Sequence, residues 1–348
     1  ALASDFRPRT AVVAWKKFTD DQLQRFAILA SVIIAALIRL IDLGGVDRIA
    51  FDETYYVKDA YSLWHLGYEG QWADNVNDAF QAGDYSGLST QGAFIVHPQV
   101  GKWLLGFGPQ MFGWQHPWAW RIMPALAGIV VVLMTCLIAR KLFDSPLMTL
   151  MTGLFMAVDG VAVSVSRIAL LDVFAAMFLT AGFYTFLLDQ FDYHRRLAAF
   201  MHENRGDLSV KEKVSVWRPW LVATAVLWGL AGGVKWNAIY VIAFGGIFLF
   251  VREITMRYGG GMRGKTLIGR AIVRGGIPAF LQLVPVAILV YLASWWSWFA
   301  HPNAYGHGGT GKGALADFWK FQVDTMHFHT GVTSPHRYQA NALQWILD

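Results

Sequence analysis

Residues 120–138 read WRIMPALAGIVVVLMTCLI, with one arginine at the start and no acid anywhere. A helix of this length crosses the hydrocarbon core of a bilayer, which takes roughly 17–25 mostly apolar residues. In lipid every backbone polar group has to be satisfied within the segment, so the run is read as a helix. The same test finds six further runs: Phe26–Leu43, Leu147–Val165, Ile168–Leu188, Pro219–Val234, Trp236–Val251 and Ile277–Phe299. The two beginning at Pro219 and Trp236 are short and nearly continuous. Gly92–Trp114 is also apolar, but Pro98, Lys102 and Pro109 interrupt it, so it is read as an interfacial or re-entrant piece. The expected fold class is an all-α polytopic membrane protein with a large first loop, residues 44–119.

Composition agrees. Only 15% of the 348 residues are charged and 55% are hydrophobic, against roughly 25% charged in a soluble domain. This excludes a disordered chain and argues against an ordinary soluble enzyme. Cys136 is the single cysteine, so no intrachain disulfide exists. No heptads or longer repeats stand out. Residues 1–25 are polar and basic, with no apolar core ending in small residues. The first helix is therefore expected to insert as an uncleaved anchor.

The basic residues set an orientation. With the N-terminus in the cytoplasm, residues 1–25, the turn at Arg140–Lys141, and the loops 189–218 and 252–276 hold 19 of the 29 Lys and Arg. The 76-residue loop 44–119 holds only Arg48, Lys58 and Lys102. Those cytoplasmic segments are net +9 and the rest of the chain net −4. The overall +5 is thus a topology signal rather than a nucleic-acid footprint, and no nucleic-acid partner is expected.

Two patterns mislead. Residues 259–266, GGGMRGKT, fit the phosphate-loop pattern G-x-x-x-x-G-K-[ST]. That loop works between a strand and a helix N-terminus; here it follows a membrane helix within a basic loop, and lipid contact is the better reading. Eight of ten histidines (His65, His97, His116, His301, His307, His327, His329 and His336) fall on the outer side. His327-x-His329 has a spacing that can ligate a metal, but no HExxH or cysteine pair accompanies it, so no metal is predicted.

The residues that carry chemistry gather on that outer side. FDETYY (51–56) supplies Asp52 and Glu53, adjacent carboxylates near a membrane surface. IVHPQVGKW (95–103) supplies His97 and Lys102; Arg121 opens the second helix; SRIALLD (166–172) holds Arg167 and Asp172; Lys235 precedes Trp236. Each has a plain explanation alone: a solvated acidic pair, a snorkelling lysine, an interfacial anchor. A carboxylate within a membrane helix, as expected for Asp172, needs a partner or an aqueous cavity; Arg167 is one candidate. Together they suit an anionic, lipid-linked substrate. Cations hold a phosphate leaving group and a carboxylate takes the proton of an acceptor hydroxyl.

On these residues the chain resembles the protein O-mannosyltransferase family, of the GT-C class of membrane glycosyltransferases. FDETYY is similar to its acidic segment after helix one, and FIVHPQVGKW to its F-x-V-H-P-P-L-[GA]-K segment with Gln99 for the second proline. WRIMPALAG, SRIALLDVF and GGVKWNAIY resemble three more segments. FHTG (328–331), continuing through VTSPHRYQ (332–339), resembles the most specific one.

The resemblance implies a GT-C helix bundle over residues 26–348, with external loops 44–119 and 300–348, and a chain that stops short of the family's later helices. It implies transfer of mannose, with inversion, from polyprenyl-phosphate-mannose to Ser or Thr of secreted proteins at the plasma membrane. Asp52 is the implied general base and Glu53 its orienting or acceptor-binding neighbour. His97, Lys102, Arg121, Arg167, Asp172, Lys235, His327 and His329 are the implied substrate-binding set. No obligatory cofactor is implied. Membrane lipid and the secretion channel are further candidate partners. The missing β-trefoil insertion points to a bacterial, actinobacterial source. Two alternatives stay open: a GT-C transferase acting on a cell-wall glycan or lipid, and a transporter, for which paired broken helices and pseudo-repeats are lacking.

Overall fold

The computed structural model describes residues 19–203, 217–333 and 343. The long helices are α1 (Asp20–Leu40), α5 (Pro117–Phe143), α6 (Pro146–Val158), α7 (Gly160–Arg167), α8 (Asp172–Glu203), α9 (Pro219–Gly232), α10 (Ala238–Gly259) and α12 (Ile277–Ser294). The first loop folds as α2 (Glu53–Leu66), β1 (Gly70–Trp72), α3 (Asn77–Gln81), β2 (Leu88–Gly92) and α4 (Val100–Phe112). A short α11 (Gly264–Arg270) and a π-helical turn (Ala271–Gly276) lead into α12; α13 (Trp296–Ala300) and α14 (Ala314–Gly331) follow it. The molecule is a helical, multi-pass membrane protein.

Among the described residues five helical segments are long and apolar enough to cross a membrane alone, and the α6–α7 pair, bent by 53°, makes a sixth if it is one span. The seventh expected span, α9, has only 14 residues, about 21 Å of rise against a hydrocarbon core of roughly 30 Å. It packs inside the bundle, where lipid thickness does not set its length.

α1 starts with a capping box, Thr19 Oγ1 accepting from Gln22 N and Gln22 Oε1 from Thr19 N, which satisfies two orphan donors. Gln24 and Asp21 reach Asp144 and Arg140 at the end of α5, so the start of α1 lies beside the end of α5. The α1–α5–α6 contact is a seam of small residues. A Cβ on Gly153 would lie 2.4 Å from Cys136 Sγ and 2.5 Å from Ser31 Oγ, the close approach by which membrane helices pack. Buried Arg39 donates to the carbonyl of Ala157 (2.9 Å), at the end of α6. The α6–α7 break is thus stabilised by a side chain that takes a helix-end acceptor.

α8, α9, α10 and α12 pack around Trp228, with Phe186, Leu221, Leu249 and Leu283. Gly182 and Gly245 make room for the indole, since a Cβ on either would meet it at 2.3 and 2.7 Å. In the first loop, β1 and β2 pair antiparallel, Gly70 opposite Gly92 and Trp72 opposite Leu88. Tyr61, Trp72, Phe80, Tyr85 and Trp114 stack over this hairpin. Tyr68 and Ile95 of the same loop pack with Trp295, Trp298, Phe318 and Phe321. The first loop and α13–α14 therefore lie on one side of the bundle.

Two boundaries differ from the sequence reading. α8 starts at Asp172, not Ile168, because Ile168–Leu171 is held out of the helix by a buried carboxylate described below. Asp172 is consequently the first residue of α8 and not one turn inside it. α12 stops at Ser294, and Trp295 turns the chain into α13. The GGGMRGKT stretch joins two helices through Gly261 (φ 91°) and Gly264 (φ 59°) with no strand before it, so it lacks the context of a phosphate loop.

Candidate active site

The site is built on the turn that starts α2. Phe51 has φ 52°, a left-handed conformation unusual for a bulky residue. Glu53 N donates to Ala50 O (3.1 Å) and Glu53 Oε2 accepts from Ala50 N (2.9 Å). This turn places Asp52 at the N-cap of α2, where its side chain makes no capping bond. Asp52 is half-buried, and the hydroxyl of Tyr56 is its side-chain hydrogen-bond partner.

Glu53 is fully buried, at 0% exposure. It accepts from Arg121 Nε (2.8 Å) and Nη2 (2.8 Å), from Ala50 N, and from Ala169 N (2.9 Å). Arg121 is equally committed, with its other donors on Val46 O (2.6 Å) and Arg48 O (3.0 Å). One carboxylate thus ties the first loop to α5 and to the extended segment before α8. A bidentate Arg–carboxylate pair fixes geometry as well as charge. Glu53 and Arg121 brace the turn that carries Asp52.

Opposite this turn lies an open pair. Lys235 Nζ contacts Asp172 Oδ1 at 2.8 Å, and Asp172 is 48% exposed. Lys235 is 20% exposed; a pair open to water on its acidic side is worth about 1 kcal/mol, so Lys235 exchanges partners at little cost. The sequence offered Arg167 as a mate for Asp172. Arg167 instead donates to Ile38, Ile41 and Asp42 carbonyls and closes the end of α1, as a cation does at a helix C-terminus.

Between the two acids stands Tyr56, buried on α2 one turn after Asp52. Burial, then Asp52, Asp172 and Asp59, raise its phenol above the ordinary range. Its ring lies 6.0 Å from His97, which stacks on His329 at 5.6 Å. His329 Nε2 is 3.1 Å from Val96 O, and its ring is 6.1 Å from Trp236. Burial, then Lys235, Lys102 and His329, push His97 down to about 3. His97 is therefore a neutral hydrogen-bonding group at pH 7, not a cation.

Lys102 lies deeper, 1% exposed, between Asp59 (2.9 Å) and Glu69 (3.2 Å). Gln99 Nε2 donates to the other Glu69 oxygen at 2.8 Å. Burial pushes the Glu69 carboxyl up, while it opposes charge on Lys102; Asp59 and Glu69 together still hold the ammonium above its usual value. His327 is exposed and, two residues from His329, points to another side of α14. His336 and the stretch Ser334–Gln339 lie outside the described residues. Among the described residues no three His, Cys, Asp or Glu side chains form a group fit for a metal.

The sequence of this chain fits the family model described as dolichyl-phosphate-mannose-protein mannosyltransferase over residues 25–299. The chain belongs to this family. It is 28% identical over 95% of its length to a polyprenol-phosphate-mannose–protein mannosyltransferase of Corynebacterium glutamicum, and 29% identical over 93% to one of Mycolicibacterium smegmatis. It spans 65% and 63% of the length of these two relatives. Its fold matches the S. cerevisiae protein O-mannosyltransferase Pmt1–Pmt2 complex bound to the sugar donor, with TM-score 0.57 and 19% identity, over 80% of this chain and 34% of that one.

In this mannosyltransferase-family chain the structure draws Asp52, His97, Asp172, Lys235 and His329 around Tyr56. It places Glu53 and Arg121 in the brace, Lys102 in the inner acid pair, Arg167 on α1, and His327 apart. Sequence reading missed Tyr56, Asp59, Glu69 and Gln99. Asp52, Tyr56 and Asp59 are spaced i, i+4, i+7, one helix face, and that spacing was the available signal. Glu69 gave none, because its partner is 33 residues away.

Proposed function

We propose that this chain carries the catalytic face of a protein O-mannosyltransferase. In this reading mannose moves from a polyprenyl-phosphate carrier to a Ser or Thr hydroxyl of a secreted polypeptide. Asp52 is the general base, facing the acceptor hydroxyl; a single inverting displacement needs one such base and no covalent nucleophile. Lys235 leaves Asp172 to meet the phosphate, stabilising it as it departs. His97, which is neutral, and His329 supply hydrogen bonds to sugar or phosphate oxygens. Glu53 and Arg121 hold the base in position, and Arg167 and Lys102 are assigned structural parts.

The observation that carries this reading is an uncapped Asp52 carboxylate sharing one buried tyrosine with the half-exposed Asp172–Lys235 pair. An acceptor base and a leaving-group cation on two sides of one space are what the reaction needs. The charge distribution supports an N-terminus in the cytoplasm and a site on the external face of the plasma membrane. The site shares its side of the bundle with the first loop and α14, in keeping with residues 1–25 as a cytoplasmic segment and the rest as one transmembrane domain. The secretion channel is a candidate neighbour of that face.

The test is incubation of the full-length membrane protein with radiolabelled polyprenyl-phosphate-mannose and a Ser/Thr/Pro-rich peptide. Label in the peptide is expected. Label only in a cell-wall glycan or lipid acceptor would reject the peptide assignment while keeping the transferase chemistry.

A further inference from the structure

Two tyrosines follow one another on α2, and the helix separates them. Tyr55 is 64% exposed, whereas Tyr56 is 7% exposed. Residues 52, 56 and 59 share one face of α2, so Tyr56 stands one turn beyond Asp52 while Tyr55 lies around the helix from it. A buried hydroxyl costs free energy unless it finds a hydrogen-bond partner. The carboxylate of Asp52 is that partner.

Asp52 and Asp59 of α2 and Asp172 at the start of α8 act on this hydroxyl, and His97, from the segment before α4, faces the ring at 6.0 Å. Burial, then Asp52, Asp172 and Asp59, hold the phenol protonated well above its ordinary range. It is therefore a donor at every pH at which a carboxylate serves as a base. A hydrogen bond to an ionised acceptor is among the stronger ones, and a phenol supplies it without a charge. A cation in the same place would favour the ionised carboxylate further and weaken the base. The rest of the turn leaves the side chain of Asp52 unfixed. It makes no capping bond, and Glu53 and Arg121 hold the backbone around it through Ala50 N, Val46 O and Arg48 O.

We propose that Tyr56 is the positioning residue of the base: its hydroxyl donates to one carboxylate oxygen of Asp52 and leaves the other for the acceptor, on the side shared with His97, Asp172 and Lys235. This part rests on the reading of Asp52 as the general base. The acceptor's proton passes to the free oxygen of Asp52 as the new bond to the sugar forms, and the phenol keeps its own proton throughout. Orientation of this kind matters because a misplacement of about 1 Å can cost about 10²-fold in rate.

The experiment measures mannose transfer from polyprenyl-phosphate-mannose to a Ser/Thr peptide by full-length Tyr56→Phe, Asp52→Asn and the double variant, with Tyr55→Phe as the control. Phenylalanine keeps the buried ring and removes only the hydroxyl. Tyr56→Phe is expected to lower kcat about tenfold, the worth of one hydrogen bond to a charged group, with little change in KM for the donor. Because the lost bond favours the ionised carboxylate, the acidic limb of kcat against pH is expected to move up by about one unit. In the Asp52→Asn background the same change is expected to alter kcat by less than about twofold, since a residue that acts through another adds nothing once that other is gone. Tyr55→Phe is expected to match the wild type. A Tyr56→Phe kcat within about twofold of the wild type, an unmoved acidic limb, or the same tenfold loss repeated on top of Asp52→Asn overturns the part of the tyrosine and leaves the base standing. Full activity of Asp52→Asn overturns the base and this proposal with it.

Discussion

Replacing Arg121 by methionine tests the brace on which the site geometry depends. Methionine matches the length of the stem and removes only the guanidinium. Glu53 then loses two 2.8 Å bonds while staying fully buried, and the Val46 and Arg48 carbonyls lose their donors. Breaking one side of a buried pair costs about 3–5 kcal/mol, because the remaining charge is stranded. At roughly 2–3 °C per kcal/mol for a chain of this size, the melting temperature falls by roughly 6–15 °C. Arg121→Lys is expected to recover only part of this, since an ammonium cannot make the bidentate contact. Arg121→Met combined with Glu53→Leu removes both charges, and replacing such a pair by apolar residues is often near neutral. The assay is thermal unfolding of detergent-solubilised protein, followed by intrinsic fluorescence. A single variant melting within 2 °C of the wild type, or a double variant no better than the single, refutes the brace.

Three further outcomes follow from the open side of the site. Asp172→Asn removes a half-exposed pair and is expected to cost under about 1 kcal/mol, whereas Lys235→Met raises KM for the lipid donor at least tenfold; a stability loss without a KM change in Lys235→Met contradicts its assigned part. His97, held down to about 3 by burial and by Lys235, Lys102 and His329, binds no proton in the folded state near neutrality, while the unfolded chain takes one up below about 6.5. Its contribution to stability is therefore complete above pH 6.5 and is lost as pH falls from there toward 3. The drop in melting temperature between pH 7.5 and 5 is expected to shrink in His97→Asn; an unchanged drop shows that His97 is not buried as a neutral group.

Much of this molecule is legible in its sequence because lipid imposes a simple rule. A segment crossing it must satisfy its own backbone and show apolar side chains, so α1, α5, α8, α10 and α12 stand out in one dimension. What the rule does not cover is what the reading missed. α9 is shorter than a span because protein, not lipid, surrounds it. Ile168–Leu171 is as apolar as a helix start, yet Ala169 N is drawn out to Glu53, a residue 116 positions away. The same limit applies at the site. Asp52 and Asp172 were visible as acids in apolar surroundings, but Arg121, Arg167 and Lys102 looked alike as outer cations. Only their partners separate them: a carboxylate for Arg121, the end of α1 for Arg167, two acids for Lys102. Each partner is distant in the chain, and no local pattern encodes it.

The central claim is that Asp52 is the base that activates the acceptor hydroxyl. The most direct measurement is the rate of mannose transfer to a Ser/Thr peptide by Asp52→Asn, with its melting temperature taken on the same preparation. Asparagine keeps the size of the side chain, and Asp52 makes no capping bond to lose. The account predicts a fall in kcat of about 10²–10⁴-fold, the usual contribution of a positioned base, with melting unchanged. Transfer within a few-fold of the wild type by a folded Asp52→Asn protein would contradict it.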